Sequence, residues 1–227
     1  MAAIEALAAL ARLLKLYDDE RRRLRAMTDC TSREGDYLKP VFGVGSVPPK
    51  LMLIGEAPGG EEAKQGLPFV GKAGKQLDEL LRHASIDRRE VYVTNAVKFR
   101  PIKIKPRSVS NRTPALIEIR EGLPLLMREI ELVRPAVIAT LGNTPLRAML
   151  MLSGEENTTV GEAHGRARPL RIGGAWCVLF PLYHPASVIY NRALTEVLRM
   201  DLTALGELIK TVGADMESAP TDAVMIR

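Results

Sequence analysis

Four short apolar runs constrain this chain more than any other feature: residues 51–54, 91–94, 136–141 and 176–180. Each is too short for a helix and too uniformly apolar to have a wet face. Each therefore reads as a strand buried on both sides. Helical spacing of apolar residues separates most of them, over residues 73–84, 114–133 and 144–152, and a last helix is expected over 194–211. Strands alternating with helices imply an α/β fold, a parallel sheet covered on both faces. The length of 227 residues suits one domain with a sizeable core. We expect that domain to span residues 1–210, with an amphipathic helical segment over 1–40 packed on it and a flexible tail from 211 to 227.

The segments that follow the strands are the chemically informative ones. They are Gly55-Glu56-Ala57-Pro58-Gly59, Asn95-Ala96-Val97-Lys98, Gly142-Asn143-Thr144-Pro145 and Tyr183-His184-Pro185-Ala186-Ser187. Open parallel sheets bind ligands at the carboxyl ends of their strands. Four polar, Gly- or Pro-bearing ends at one sheet edge point to a site there.

Within the first of these regions, Gly66-Leu67-Pro68-Phe69-Val70-Gly71-Lys72-Ala73 falls one residue short of the phosphate-loop pattern. It does not read as a phosphate loop. It begins well after the strand, Pro68 lacks an N–H donor, and Ala73 stands where a magnesium-binding hydroxyl belongs. Glu61 and Glu62 just upstream would repel phosphate. The residues suit a flat, nearly neutral group better. Phe69 offers a stacking face, Asn95 an amide edge that can read a base, and His184 a donor toward developing negative charge.

Bulk properties narrow the partners. The formal charge of +5 tilts the chain toward an anionic partner such as nucleic acid. No apolar run reaches the roughly 20 residues of a membrane span, and the N-terminus reads as an amphipathic helix rather than a signal peptide. The two cysteines, Cys30 and Cys177, have no metal-ligand spacing, and Cys177 lies in a strand-like run. A cytoplasmic location is expected. The run from 100 to 112 holds Arg100, Lys103, Lys105, Arg107 and Arg112 without an acid, a candidate phosphate-contacting loop.

Read together and in this order, GEAPGGEEAKQGLPFVGKAG, TNAVKFRP, NRTP, ATLG and YHPAS resemble the uracil-DNA glycosylase superfamily, and within it the bacterial and archaeal family 4 type. The similarity runs from about residue 41 to about 199. It implies a three-layer α/β/α sandwich with a central four-stranded parallel sheet. It also implies a monomeric enzyme that hydrolyses the bond between uracil and deoxyribose in single- or double-stranded DNA, the first step of base-excision repair. By position, Phe69 matches the residue that stacks on the extruded uracil, Asn95 the one that reads its edge, and His184 the one beside O2. Gly55, Glu56 and Ala57 line the same pocket. Glu62 or Glu56 would position water, with Glu62 taken first. Ser187 onward matches a loop that enters the minor groove, with Val188, Ile189 or Tyr190 as a wedge and Arg192 on a flanking phosphate.

Two departures stand out. Ala63 replaces one carboxylate of the family's first motif. Of the four cysteines that hold the family's iron–sulfur cluster, only Cys30 has a match; Met27, Phe99 and Gly122 stand at the other positions. One thiolate cannot hold a cluster that takes four, so no cofactor is expected. Two other readings stay open on the sequence alone: a glycosylase of the same fold for hypoxanthine or xanthine, and a noncatalytic binder of uracil-containing or single-stranded DNA.

Overall fold

The computed structural model describes residues 2–28 and 39–218. The four apolar runs form the parallel centre of one sheet: β2 (Leu51–Gly55), β3 (Val91–Asn95), β6 (Val137–Leu141) and β8 (Ala175–Leu182). Short antiparallel strands close both edges, β1 (Val44–Gly45) against β3 and β7 (Arg168–Ile172) against β8. The sheet thus has six strands in the order β1-β3-β2-β6-β8-β7, two more than expected. The edge strands escaped a search for apolar runs because β1 has two residues and β7 alternates between exposed and buried positions.

Strand alternation sends successive side chains to opposite faces, and each face has its own core. Met52, Ile54, Tyr92 and Ile138 pack under α1 (Ala2–Thr28), α4 (Leu116–Val133) and α5 (Asn143–Ser153). Leu51, Leu53, Val91, Val93 and Ala139 pack under α3 (Lys72–His83) and α8 (Leu194–Ser218). The result is the expected three-layer sandwich. The helix α1 is anchored through Leu13 and Tyr17, the latter stacked on Phe42 with ring centroids 4.4 Å apart. Among the described residues, no helix is long and apolar enough to cross a membrane.

Two expectations change in detail. The last helix continues to Ser218, beyond the expected boundary at 211; residues 219–227 of the tail lie outside the described residues. The basic run at 100–112 is not a plain loop but a two-stranded hairpin, β4 (Ile102–Lys105) and β5 (Ser108–Asn111). The alternation Ile-Lys-Ile-Lys was the available signal for β4. Pro101 and Pro106, at its base and tip, disguised it.

Chain direction places the site. From β2 the chain crosses to β3 on one side and then returns to β6 on the other. This reversal opens a crevice at the strands' carboxyl ends. The short helices α2 (Gly60–Gln65), α6 (Val160–Ala163) and α7 (Ser187–Tyr190) belong to the connections.

Candidate active site

A cavity of about 500 Å³ opens at that edge, lined by Glu56, Ala57, Glu62, Phe69, Asn95 and His184 among others. Its size falls within the range of small-molecule sites. The segments after β2, β3 and β8 reach it directly. The segment after β6 supports it from behind. Gly142, at φ +96°, backs onto the His184 Cβ, and the Thr144 hydroxyl donates to Glu56 Oε2 at 2.8 Å. Thr144 is a support that the sequence reading missed; its signal was its place directly after an apolar strand.

Asn95 ends β3 and is 2% exposed, yet among the described residues no group hydrogen-bonds its side-chain amide. The amide opens on the cavity, so its donors and its acceptor are free for a ligand. Phe69 lies beside it with φ +57°, a backbone conformation unusual for an aromatic residue. Close packing enforces this: a Cβ on Gly74 would meet the Phe69 carbonyl oxygen at 1.8 Å. Gly55 is equally constrained, since a Cβ there would meet Asn95 Oδ1 at 2.4 Å and Phe69 Cζ at 2.5 Å. The glycine thus lets the amide and the ring converge.

His184 faces the same space, its ring centroid 6.5 Å from that of Phe69 with 29° between the planes. Its Nδ1 accepts from the Ala186 N–H at 3.1 Å, which puts the ring proton on Nε2. Burial holds its pKa below the ordinary 6.5, so the ring is neutral at physiological pH. The turn is fixed from below, because Ser187 donates both its N–H (2.8 Å) and its hydroxyl (2.6 Å) to the His184 carbonyl. The result is a preorganised neutral Nε2–H donor.

The two acids differ in their duties. Glu62 Oε1 accepts from the Gly71 N–H at 2.9 Å, at the N-terminus of α3. The carboxylate thus occupies the place where a phosphate loop would hold its phosphate. Among the described residues Glu56 is held by Thr144, and burial raises its pKa above the ordinary 4.5. His83 lies beside α8 and His164 pairs with Asp201 at 2.8 Å; neither lines the cavity. Cys177 is half-buried, with burial pushing its thiol up to about 11, and is unreactive.

Beneath Asn95 lies a buried polar network absent from the sequence reading. Lys98 Nζ donates to Thr94 Oγ1 (2.6 Å), to the Asn95 carbonyl (2.7 Å) and to Glu129 Oε2. Glu129 Oε1 also accepts from the hydroxyls of Tyr17, Tyr92 and Thr94 and from the Gly43 N–H. Lys98 is 3% exposed and Glu129 is fully buried. Burial pulls the Lys98 pKa down while the Glu129 charge pushes it back up. Alternation alone hid the pair, because Glu129 sits inside an otherwise ordinary amphipathic helix.

The candidate DNA-facing residues form two groups. Lys103, Lys105 and Arg107 stand exposed on the hairpin. Arg100 donates from Nε to Asn111 Oδ1 at 2.8 Å, which braces the hairpin base. Arg112 lines the cavity, but its guanidinium is engaged by Glu118 at 2.6 and 2.7 Å and by two carbonyls. Ser187 opens α7, and Arg192 lies exposed just beyond it. Of the expected wedge residues, Val188 is buried in the core instead, and the side chains of Ile189 and Tyr190 lie outside the described ones.

Comparison with known proteins matches residues 42–204 to the Uracil DNA glycosylase superfamily. The chain belongs to this superfamily. It is 36% identical over 168 residues to a type-4 uracil-DNA glycosylase of Archaeoglobus fulgidus, covering 74% of this chain and 81% of the relative. It is 34% identical over 172 residues to the type-4 enzyme of Sulfurisphaera tokodaii, covering 75% of each chain. The type-4 enzyme of Thermotoga maritima is 35% identical over 175 residues, 76% of this chain and 84% of that one. In this member of the superfamily the residues do not fit an iron–sulfur cluster. A side chain on Gly122 would meet the Ala96 carbonyl oxygen at 2.5 Å, so the backbone leaves no room for a thiolate. Phe99 is half-buried and no ligand. Among the described residues no group of three or more His, Cys, Asp or Glu side chains is arranged to hold a metal. Cys30 lies outside the described residues, as does the Met27 side chain.

Proposed function

We propose that this protein is a metal-free, monomeric, cytoplasmic uracil-DNA glycosylase that hydrolyses the N-glycosidic bond of uracil in DNA and leaves an abasic site. The observation that carries the reading is the unpartnered, nearly buried Asn95 amide between Phe69 and the neutral His184. Uracil inside a duplex is out of reach, so the nucleotide is extruded or taken from a single strand. Its ring stacks on Phe69. Asn95 donates to O4 and accepts from N3–H, a pattern that cytosine reverses. When the bond from C1′ to N1 breaks, its electrons leave with uracil and positive charge develops on the sugar. His184 Nε2–H then donates to O2 of the uracil anion. We assign the water to Glu56, because burial raises its pKa and strengthens it as a base; each acid has one oxygen engaged, Glu56 by the Thr144 hydroxyl and Glu62 by the Gly71 N–H. The water oxygen adds to C1′ and its proton passes to Glu56. Lys103, Lys105, Arg107 and Arg192 supply exposed charge for phosphates.

The test is alkaline strand cleavage on matched oligonucleotides carrying uracil, hypoxanthine, xanthine or thymine, single-stranded and paired. Cleavage at uracil, reduced about 30- to 150-fold in kcat/KM by Asn95→Ala through two lost hydrogen bonds, supports the reading. Cleavage at a purine lesion alone would replace it with a retuned pocket. Binding without turnover would replace it with a noncatalytic reader. Glu56→Gln preserves the acceptor for Thr144 and removes only the charge. A greater loss in Glu62→Gln than in Glu56→Gln would reverse the assignment of the water.

A further inference from the structure

The β4–β5 hairpin leaves an apolar surface bare at the rim of the cavity. Ile102 pairs with Asn111 and Ile104 with Val109 across the two strands. Residues two apart on a strand share a face, so these two pairs lie on the same side of the ribbon. Asn111 lines the cavity from this side, and Pro101 and Arg112 line it from the other, so the hairpin rises from the cavity rim. The second pair stands about 6.8 Å further out, two residues of strand rise. Ile104 is 62% exposed and Val109 47% exposed. Ile104 and Val109 thus form a small exposed apolar pair just beyond the cavity rim.

The hairpin base is rigid. Arg100 holds Asn111, the Arg112 N–H donates to the Pro101 carbonyl at 3.1 Å, and the Arg112 guanidinium joins Ile102 to Glu118. The apolar pair is therefore fixed relative to the cavity. Lys103 and Lys105 occupy the opposite side of the ribbon. The hairpin thus offers positive charge for a nucleic-acid backbone on one side and an uncharged surface for a base on the other.

We propose that the Ile104–Val109 face seats the nucleobase adjacent to the extruded uracil on the same strand. This rests on the reading of the cavity as a uracil site and extends it. The seat offsets the stacking lost when the neighbour is left without the extruded base, and it acts on single strands as well as on duplexes because its occupant belongs to the uracil's own strand.

The experiment couples a protein change to a DNA change. Ile104→Thr with Val109→Thr keeps β-branched residues on the strands and removes most of the apolar surface. The DNA change replaces the base 5′ or 3′ of uracil, one at a time, by an abasic tetrahydrofuran spacer in a single-stranded oligonucleotide. Affinity by fluorescence anisotropy and kcat/KM by strand cleavage are read on the same substrates. The wild type should lose about five- to tenfold in affinity and kcat/KM with the spacer on one side. The double variant should show that loss on unmodified DNA and no further loss with the spacer. Losses that multiply, or a variant indistinguishable from wild type, would each overturn the seat. A wild type that cleaves no uracil substrate would instead defeat the uracil reading, and the anisotropy comparison would still decide the seat.

Discussion

Lys98→Met should destabilise the protein far more than its distance from solvent-facing chemistry suggests. The side chains are similar in volume, so no large cavity forms. What is lost is the positive charge opposite a fully buried Glu129, together with donors to Thr94 and to the Asn95 carbonyl. Leaving one partner of a buried ion pair uncompensated typically costs about 3–5 kcal/mol. For a chain of this size, 1 kcal/mol moves the melting temperature by about 2–4 °C, so the midpoint should fall by about 6–20 °C. The second variant isolates the cause. Lys98→Met with Glu129→Gln removes the orphaned charge and keeps an amide oxygen for Tyr17, Tyr92 and the Gly43 N–H. It should recover at least half of the lost stability. Differential scanning calorimetry at neutral pH measures both. A Lys98→Met midpoint within about 2 °C of wild type, or a double variant no more stable than the single, would refute the charge-pairing argument.

Three other outcomes follow from the site. Gly55→Ala should leave the fold within about 1–3 kcal/mol of wild type by denaturant titration, yet abolish measurable uracil cleavage; its methyl displaces both Asn95 and Phe69. His184→Ala should lower kcat about 100- to 1000-fold with little change in KM, because the donor acts on charge that develops only as the bond breaks. In a pH–rate profile, Glu56 must be ionised to accept a proton, and its pKa is raised, so kcat should fall as pH drops through a value above 4.5. Glu56→Gln should lower the plateau and remove that limb. No second limb should appear between about pH 6.5 and 8, since His184 titrates below its ordinary value.

The parallel centre and the site-bearing strand ends were legible because both rest on local signals. A strand buried on both faces is an apolar run, and a functional carboxyl end interrupts it with Gly, Pro or a polar residue. Asn95 and His184 were visible for that reason and Phe69 through the near-match to a phosphate loop, and the structure brings all three to one cavity. Thr144 and Glu129 were not, because each acts through a partner tens of residues away: Thr144 on Glu56 and Glu129 on Lys98. Sequence spacing carries no trace of such pairings. The hairpin fell between these cases. Its alternation was written in the chain, but its basic composition suggested solvent rather than strand.

The near-match to a phosphate loop shows how a single carboxylate redirects a helix terminus. The N-terminus of α3 offers free N–H groups and the positive end of a helix dipole, features that favour phosphate. Here α2 intervenes between strand and loop and delivers Glu62 to that terminus, where it bonds the Gly71 N–H. The anion site is satisfied from within the chain. The glycine and lysine of the pattern are left to serve packing at the cavity rim, and the bulky interior of the motif, useless to a phosphate, presents Phe69 to the cavity. A Glu62→Ala change would reopen that helix terminus, and Glu62→Gln would not, because its amide oxygen still accepts from Gly71. An inorganic phosphate ion binding to the first variant and not to the second would show that the loop's phosphate-binding geometry persists beneath its present use.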